Sequence, residues 1–179
     1  MTDPRYPIGK YEPKPALTEV ESAAMIQELA NGPALFAKAY EGLSETQLET
    51  PYRENVDGKA AWTLRQLAHH VADSHLNAYI RFKWALTEDH PTIKPYHEKK
   101  WANLPDSKLP IGVSLRMLAD LHERWVALLH TLTPEQWSRM YLHPESQKSF
   151  DLKFMLGMYH WHMHHHTAHV TELRKVKGW

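Results

Sequence analysis

The sequence predicts an all-α protein built as a four-helix bundle with long crossover loops and short extra helices. Three observations support this fold class: apolar residues recur at helical spacing over long segments, capping motifs mark where those segments begin, and proline-rich stretches separate them. The chain has 179 residues and no cysteine, and this length is enough to bury a hydrophobic core without disulfides. We therefore expect an extended N-terminal arm over residues 1–17 and a single helical-bundle domain over residues 18–179.

The first half of the chain is predicted to form two long helices. The first is expected over residues 18–41, with a disturbance at Asn31-Gly32-Pro33 because proline removes a backbone donor. A short turn follows around residues 44–48. The capping box Thr63-Leu64-Arg65-Gln66 opens the second helix, which continues to about Thr87. The prolines that keep the preceding arm extended are Pro4, Pro7, Pro13 and Pro15.

The second half begins with a long loop over residues 89–112 that contains four prolines. Loops of this length in compact domains are often functional, and this one could roof a site. Ser114 is expected to cap a third long helix that runs to about Leu132. Thr133-Pro134-Glu135-Gln136 then opens a short helix with proline at its first position, and a small hairpin is expected around Pro144.

The last helix, expected over residues 151–177 and stopped by Gly178, carries the most distinctive feature of the chain. Six histidines lie between Tyr159 and Val170. Apolar residues at helical spacing continue on both sides of the run. The histidines therefore belong to a folded helix and are not a purification tag.

Helical spacing sorts these histidines by the direction they face, because successive residues are about 100° apart. His162 and His166 fall on the apolar stripe, whereas His160 and His164 fall among lysines and threonines on a face predicted to be solvated. Rings spaced i,i+4 can bind one ion, and each buried ring nitrogen left unpaired would cost about 1–3 kcal/mol. We therefore predict that His162 and His166 bind a metal. The reserve ligands on or beside the same stripe are His165 and His169.

A complete site requires a ligand from another segment, and the second long helix is also rich in histidine. Its polar stripe is either exposed to solvent or lines a wet cavity, and periodicity does not decide between these. The residues of this stripe are His70, Asp73, Ser74, Asn77 and Arg81. A zincin-type protease is disfavoured, because Val126 follows His122-Glu123 at the position where the HExxH motif requires a second histidine.

A helix with His-His-x-x-Asp near its start, followed by a last helix with His-x-x-x-His, resembles the DinB/YfiT-like superfamily, in particular its YfiT branch. The similar segments span nearly the whole chain: residues 6–13, 50–53, 62–66, 80–83, 95–101, 161–166 and 168–173. The resemblance implies that the metal ligands are His70, His162 and His166. It also implies a homodimer, and either a metal-dependent hydrolase or an enzyme that transfers bacillithiol or a similar low-molecular-weight thiol.

Three histidines with an open fourth position are typical of catalytic zinc. Affinity order alone does not select zinc, so we expect one divalent transition metal per chain, Zn²⁺ first and Ni²⁺ second. The leading interpretation is that the site activates water to hydrolyse a small substrate. The alternatives are a thiol S-transferase that holds an incoming thiol as thiolate, a non-catalytic metal-binding module, and a bundle whose histidines serve packing alone.

The other polar residues of the second and third long helices have structural interpretations, and some of them also have functional ones. Asp73 either accepts the distal ring proton of His70 or simply lies in the polar stripe. Asn77 and Arg81 either contact an anionic substrate or make structural bonds. His122 is interpreted as a core histidine or pocket wall. His69 and His75 are interpreted as structural.

Composition excludes several classes of partner. Lysine plus arginine equals aspartate plus glutamate at 21 each, so neither a nucleic-acid-binding face nor an acidic tail is indicated. No apolar run approaches the roughly 18 residues of a membrane span, and no signal peptide is recognised. We expect a soluble cytoplasmic protein that acts on a small molecule.

Overall fold

Four long helices form the core of the computed structural model, which describes residues 3–14, 16–56 and 58–179. The long helices are α1 (Glu19–Tyr40), α3 (Leu64–Thr87), α5 (Gly112–Leu129) and α7 (Leu152–Lys177). The short ones are α2 (Glu45–Leu48), α4 (Glu98–Trp101), α6 (Pro134–Trp137) and a 3₁₀ turn over Pro105–Lys108. Three residues of the predicted arm (Met1, Thr2 and Pro15) and Asp57 lie outside the described residues.

The long helices pack as a bundle in which α1 contacts α5 and α7, and α3 contacts the same two. Consequently α1 and α3 lie at opposite corners, as do α5 and α7. A long connection that carries α2 joins α1 to α3, and another that carries α4 and the 3₁₀ turn joins α3 to α5, while α6 lies between α5 and α7. This arrangement confirms the predicted all-α bundle with crossover loops.

Side-chain caps explain where the predicted helices begin. Thr18, Thr63 and Thr133 each form a reciprocal capping box at the start of α1, α3 and α6. The Asp151 carboxylate accepts the Phe154 N–H at 2.7 Å and so caps α7. At the other end of α7, Gly178 has a left-handed conformation with φ of 69°, and it ends the helix where the sequence predicted.

The predicted cap at Ser114 is wrong. Helix α5 begins at Gly112 and ends at Leu129, before the predicted Leu132. The Ser114 hydroxyl is unavailable as a cap because it lies 2.7 Å from Nδ1 of the buried His69, to which it is hydrogen-bonded. A polar contact between α3 and α5 therefore uses the side chain that the local pattern assigned to a helix start.

The predicted disturbance of α1 at Asn31-Gly32-Pro33 is also wrong, since the helix runs through it without interruption. Gly32 allows α7 to approach closely, because a Cβ at this position would lie 2.8 Å from Met163 Cγ. Pro33 has no N–H to donate to the Leu29 carbonyl four residues earlier. That carbonyl accepts a hydrogen bond from His122 Nδ1 at 2.7 Å instead, so tertiary contacts compensate for the missing helical bond.

The predicted hairpin is present as antiparallel strands β1 (Met140–His143) and β2 (Lys148–Asp151). The long loop before α5 is attached to it, because Ile93 N–H donates to the Leu142 carbonyl at 3.0 Å. The described part of the N-terminal arm packs against α7 through Tyr11, whose hydroxyl donates to the Phe154 carbonyl at 3.3 Å. Among the described residues, no helix is long and apolar enough to cross a membrane.

The buried apolar residues form two clusters, one around Trp125 and one around Phe36. Three histidines lie between them. Along α3, His75 stands between Val71 of the Phe36 cluster and Tyr79 of the Trp125 cluster. His122 on α5 and His162 on α7 occupy equivalent positions between residues of the two clusters. A layer of imidazoles thus divides the apolar core of the bundle.

Candidate metal centre

The three predicted ligands converge between α3 and α7. His70 projects from α3, and His162 and His166 project from successive turns of α7. One ring nitrogen from each lies within 4.8 Å of the others. The ring centroids are 4.4 Å apart for His162 and His166, 5.2 Å for His70 and His166, and 5.5 Å for His70 and His162. The i,i+4 spacing thus places two rings one above the other, with the third facing them from the neighbouring helix.

Burial keeps these imidazoles neutral. Desolvation lowers the pKa of His70 to about 4, and the nearby His165 adds to the effect. Desolvation and the neighbouring imidazoles lower the pKa of His162 and His166 well below the ordinary value. His70 and His166 are buried, and His162 is partly buried. Because neutral imidazole is the ligand form of histidine, this donor set suits a divalent transition metal.

His160 and His164 lie on the other face of α7, as the helical wheel predicted. Both Nε2 atoms contact the same Glu28 carboxylate oxygen, at 2.7 and 2.9 Å. The two histidine side chains are 22% and 36% exposed. With Glu28 they form another group of potential ligand atoms within 4.8 Å of one another, but here the carboxylate already satisfies both rings.

The reserve ligands His165 and His169 are buried beside the centre and form a third such group, with His166. His165 stacks on Trp161 with ring centroids 4.3 Å apart, and His169 packs against Tyr52 at the same distance. Among the described residues, Nδ1 of His165 and Nδ1 of His166 have no hydrogen-bond partner. The rings of this third group, with centroids 4.8, 4.3 and 5.5 Å apart, lie as close together as those of the three predicted ligands, but all of them come from one helix.

The polar stripe of α3 is partly buried. Burial raises the pKa of the Asp73 carboxyl to about 6. Asp73 makes no hydrogen bond to His70, so the structure does not show the suggested contact with the His70 ring. Asn77 donates to the Asp73 backbone carbonyl at 2.9 Å, a structural bond. Arg81 Nε is buried without a hydrogen-bond partner among the described residues. The indole ring of Trp62 also packs on the His70 ring, with centroids 4.5 Å apart.

Sequence reasoning missed the connection between His75, His122 and the centre. His75 Nε2 lies 3.2 Å from His162 Nδ1, and His75 Nδ1 lies 2.9 Å from His122 Nε2. Both histidines are almost fully buried, at 0% and 1% exposed. The available signals were that both lie on apolar stripes and that Pro33 frees the Leu29 carbonyl. By contrast, His69 contacts Ser114 and the Leu109 carbonyl, in agreement with its predicted structural role.

Pocket size does not identify the centre. A surface cleft of about 440 Å³ lies beside the N-terminal arm and is lined by Tyr11, Lys153, His160 and Trp161 among others. It contains none of His70, His162 and His166. The candidate metal centre is therefore defined by the neighbouring ring nitrogens of His70, His162 and His166, and not by this cleft.

Comparison with known proteins agrees with the fold and with metal chemistry. The DinB superfamily matches residues 28–170. Proteins of Bacillus cereus and Bacillus anthracis, both bearing the name "Putative metal-dependent hydrolase", are each 52% identical to this chain over the full length of both. The structure of YfiT from Bacillus subtilis, described as a probable metal-dependent hydrolase with an unusual four-helix bundle topology, matches with a TM-score of 0.94. Its identity is 47%, over 99% of each chain.

A more distant structure, a mycothiol-dependent maleylpyruvate isomerase, is 15% identical with a TM-score of 0.64. The match covers 82% of this chain and 59% of that one, and it concerns the fold alone. The close relatives and the superfamily match together extend across the residues that form the bundle and the histidine centre. This chain belongs to the DinB superfamily.

Proposed function

We propose that the protein is a metal-dependent hydrolase whose ion is held by His70, His162 and His166. The observation that carries the proposal is the convergence of three neutral imidazoles, from two helices, with ring nitrogens within 4.8 Å of one another. The names of relatives that are 52% identical over the whole chain support the same assignment. An all-histidine set accepts several divalent metals. We expect Zn²⁺ first, because open three-histidine sites commonly hold zinc, and Ni²⁺ second.

Three protein ligands leave one position of a tetrahedral ion for a ligand from outside the protein. Activation of water at neutral pH, with Lewis-acid polarisation of the substrate, is the chemistry that a divalent ion supplies in such a site. Within the chain, the three histidines serve as uncharged donors, and His162 is the one of the three that is only partly buried. The reaction that fits this arrangement is hydrolysis of a small electrophilic substrate.

Asp73 is the proton acceptor that we assign to this reaction. It lies on α3 one turn beyond His70, and its carboxyl has a pKa raised to about 6 by burial. A base with a pKa near the working pH combines a large ionised fraction with useful basicity. Arg81, whose buried Nε has no partner among the described residues, is the group on the same helix that would bind an anionic part of the substrate.

The proposal is tested by metal analysis of protein purified without added ions. We expect one divalent ion per chain in the wild type and its loss in His162→Ala and His166→Ala. His160→Ala and His164→Ala are matched controls, because they have the same residue type and spacing on the opposite face of the same helix. Loss of the ion only in the control pair would place it at Glu28 and contradict the assignment.

A second experiment separates hydrolysis from the other uses of an open metal position. The zinc-loaded protein is incubated with 4-nitrophenyl acetate, with and without bacillithiol. A hydrolase releases nitrophenol without thiol, and His162→Ala abolishes this release. Product that forms only with thiol would support an S-transferase, and a stably bound ion without turnover would support a non-catalytic metal-binding module.

A further inference from the structure

A line of hydrogen bonds crosses the core and touches all four long helices. It starts at the Leu29 carbonyl on α1, passes through His122 on α5 and His75 on α3, and ends at His162 on α7. The three distances are 2.7, 2.9 and 3.2 Å. Both ring nitrogens of His122 and of His75 are used, so neither ring has a free donor or acceptor.

The carbonyl at the start of the line gives every bond in it a direction. A carbonyl oxygen only accepts, so His122 Nδ1 must carry the hydrogen. A neutral imidazole has one N–H, which makes His122 Nε2 an acceptor and His75 Nδ1 its donor. By the same reasoning, His75 Nε2 accepts and His162 Nδ1 donates. The remaining lone pair of His162 is therefore on Nε2, the nitrogen left for the metal centre.

Two features of the chain make this line possible. Pro33 cannot donate a helical hydrogen bond to the Leu29 carbonyl, and that leaves the carbonyl free for His122. The rings of His75 and His122 are 0% and 1% exposed, and no charged side chain of the described residues forms a hydrogen bond with either. A buried unpaired charge is costly, so the rings are neutral and the order of donors and acceptors holds.

We propose that Pro33, His122 and His75 are positioning residues that hold His162 in the tautomer whose Nε2 lone pair points to the metal. This inference rests on the proposed metal centre and deepens it. Hydrogen bonds to the far nitrogen of a metal-binding histidine fix its tautomer and orientation, and their loss typically weakens metal binding about 10–100-fold. The usual partner is a carboxylate, carbonyl or water. In this chain His162 donates to His75, His75 donates to His122, and His122 donates to the Leu29 carbonyl on α1.

The most direct test is ¹⁵N NMR of the histidine rings in the metal-free protein, with assignments made from single-site variants. Protonation at Nδ1 in His122, His75 and His162 is the expected result. Protonation of His162 at Nε2 would overturn the proposal, because the lone pair would then point into the core. Zinc affinity then separates a positioning role from a merely structural one.

Zinc affinity provides the second test, measured by competition with a chromophoric chelator. His122→Leu removes the hydrogen bonds to the Leu29 carbonyl and to His75, and it should weaken zinc binding about 10–100-fold. His122→Gln should remain close to the wild type, since its amide can donate to the Leu29 carbonyl and accept from His75 Nδ1. Melting temperatures of both variants report any loss of packing separately.

The outcomes separate this inference from the proposed function. Wild-type protein that binds no ion would reject the metal centre itself. Wild-type protein that binds zinc tightly, with His122→Leu equally tight, would reject the positioning role and leave the centre intact. If His122→Leu does not fold, the ring protonation pattern of the wild type decides.

Discussion

His160 and His162 are two positions apart on α7 and have different environments. The His160 ring faces the Glu28 carboxylate and retains 22% exposure, whereas His162 faces His70, His166 and His75. Desolvation favours the neutral form of the His162 ring, which is the form that binds a metal. The local surroundings therefore separate a surface hydrogen-bond pair from a proposed metal ligand, although both residues belong to one histidine-rich run.

Asp73 gives a prediction at the residue scale. If it accepts the proton, hydrolysis of 4-nitrophenyl acetate by the zinc-loaded protein should decline as the pH falls and this carboxyl, whose pKa is raised by burial, becomes protonated. Asp73→Asn should lower kcat by roughly 10²–10⁴-fold and remove this acid limb. The measurement is the dependence of kcat on pH for both proteins.

Asp120, exposed on α5, is a suitable control for the loss of a carboxylate. Asp120→Asn should retain both the rate and the acid limb. A wild-type acid limb that persists in Asp73→Asn would show that another group accepts the proton.

Residue roles were predictable from sequence to the extent that they depend on helical spacing. The i,i+4 rule and the apolar stripe placed His162 and His166 inward and His160 and His164 outward. Periodicity carries no information about which helices become neighbours, and the roles of His75 and His122 depend on that. His70 was reached through the family resemblance, because periodicity left open whether the polar stripe of its helix faces solvent or lines a cavity.

At the scale of elements, the packing of α1 against α7 depends on Gly32. A Cβ at this position would lie 2.8 Å from Met163 Cγ, which is close to the Met163 backbone and cannot swing away freely. We expect Gly32→Ala to lower the free energy of unfolding by about 1 kcal/mol, since overpacking costs about 1–3 kcal/mol and alanine returns up to about 1 kcal/mol of helix propensity. Denaturant unfolding of the metal-free protein measures the change.

Gly157→Ala is a matched comparison on α7. The atom nearest to its new Cβ is the Tyr11 hydroxyl at 2.7 Å, which is the far end of a side chain on the N-terminal arm. This side chain can move, so the variant should be less destabilised than Gly32→Ala. Equal or greater destabilisation of Gly157→Ala would contradict the proposed close contact between α1 and α7.

Element boundaries followed from sequence where the cap is local. Thr63 and Asp151 bind backbone N–H groups within their own first turns, so short motifs were sufficient to place α3 and α7. Ser114 and Pro33 misled the prediction because distant partners, His69 and His122, determine what those positions do. Local rules fail at both positions because the bundle supplies a tertiary contact.

Across the whole molecule, the buried histidines link stability to pH. Burial lowers the pKa of His70, His122 and His165 to about 4 and that of His169 to about 3. In the unfolded chain these rings titrate near 6.5. The unfolded state therefore binds more protons below that value, and the stabilising difference is lost as the pH falls from about 6.5 toward 4.

We expect the metal-free protein to unfold in mild acid. Each ring with a lowered pKa removes up to about 1.4 kcal/mol of stability per pH unit in this window. Asp73, whose pKa is raised in the folded protein, adds stability as the pH falls, but it is one group and the buried histidines are several. Urea unfolding at pH 7.5, 6 and 5 measures the trend. Equal stability at pH 7.5 and pH 5 would contradict the neutral, buried state of the histidines.

The central claim is that one divalent ion is bound between α3 and α7 by three histidines. Its most direct test is an anomalous difference map, recorded at the zinc and nickel absorption edges, from crystals of protein purified without added metal. We expect one strong peak among His70, His162 and His166. A peak among Glu28, His160 and His164, or no peak in a protein that still hydrolyses its substrate, would contradict it.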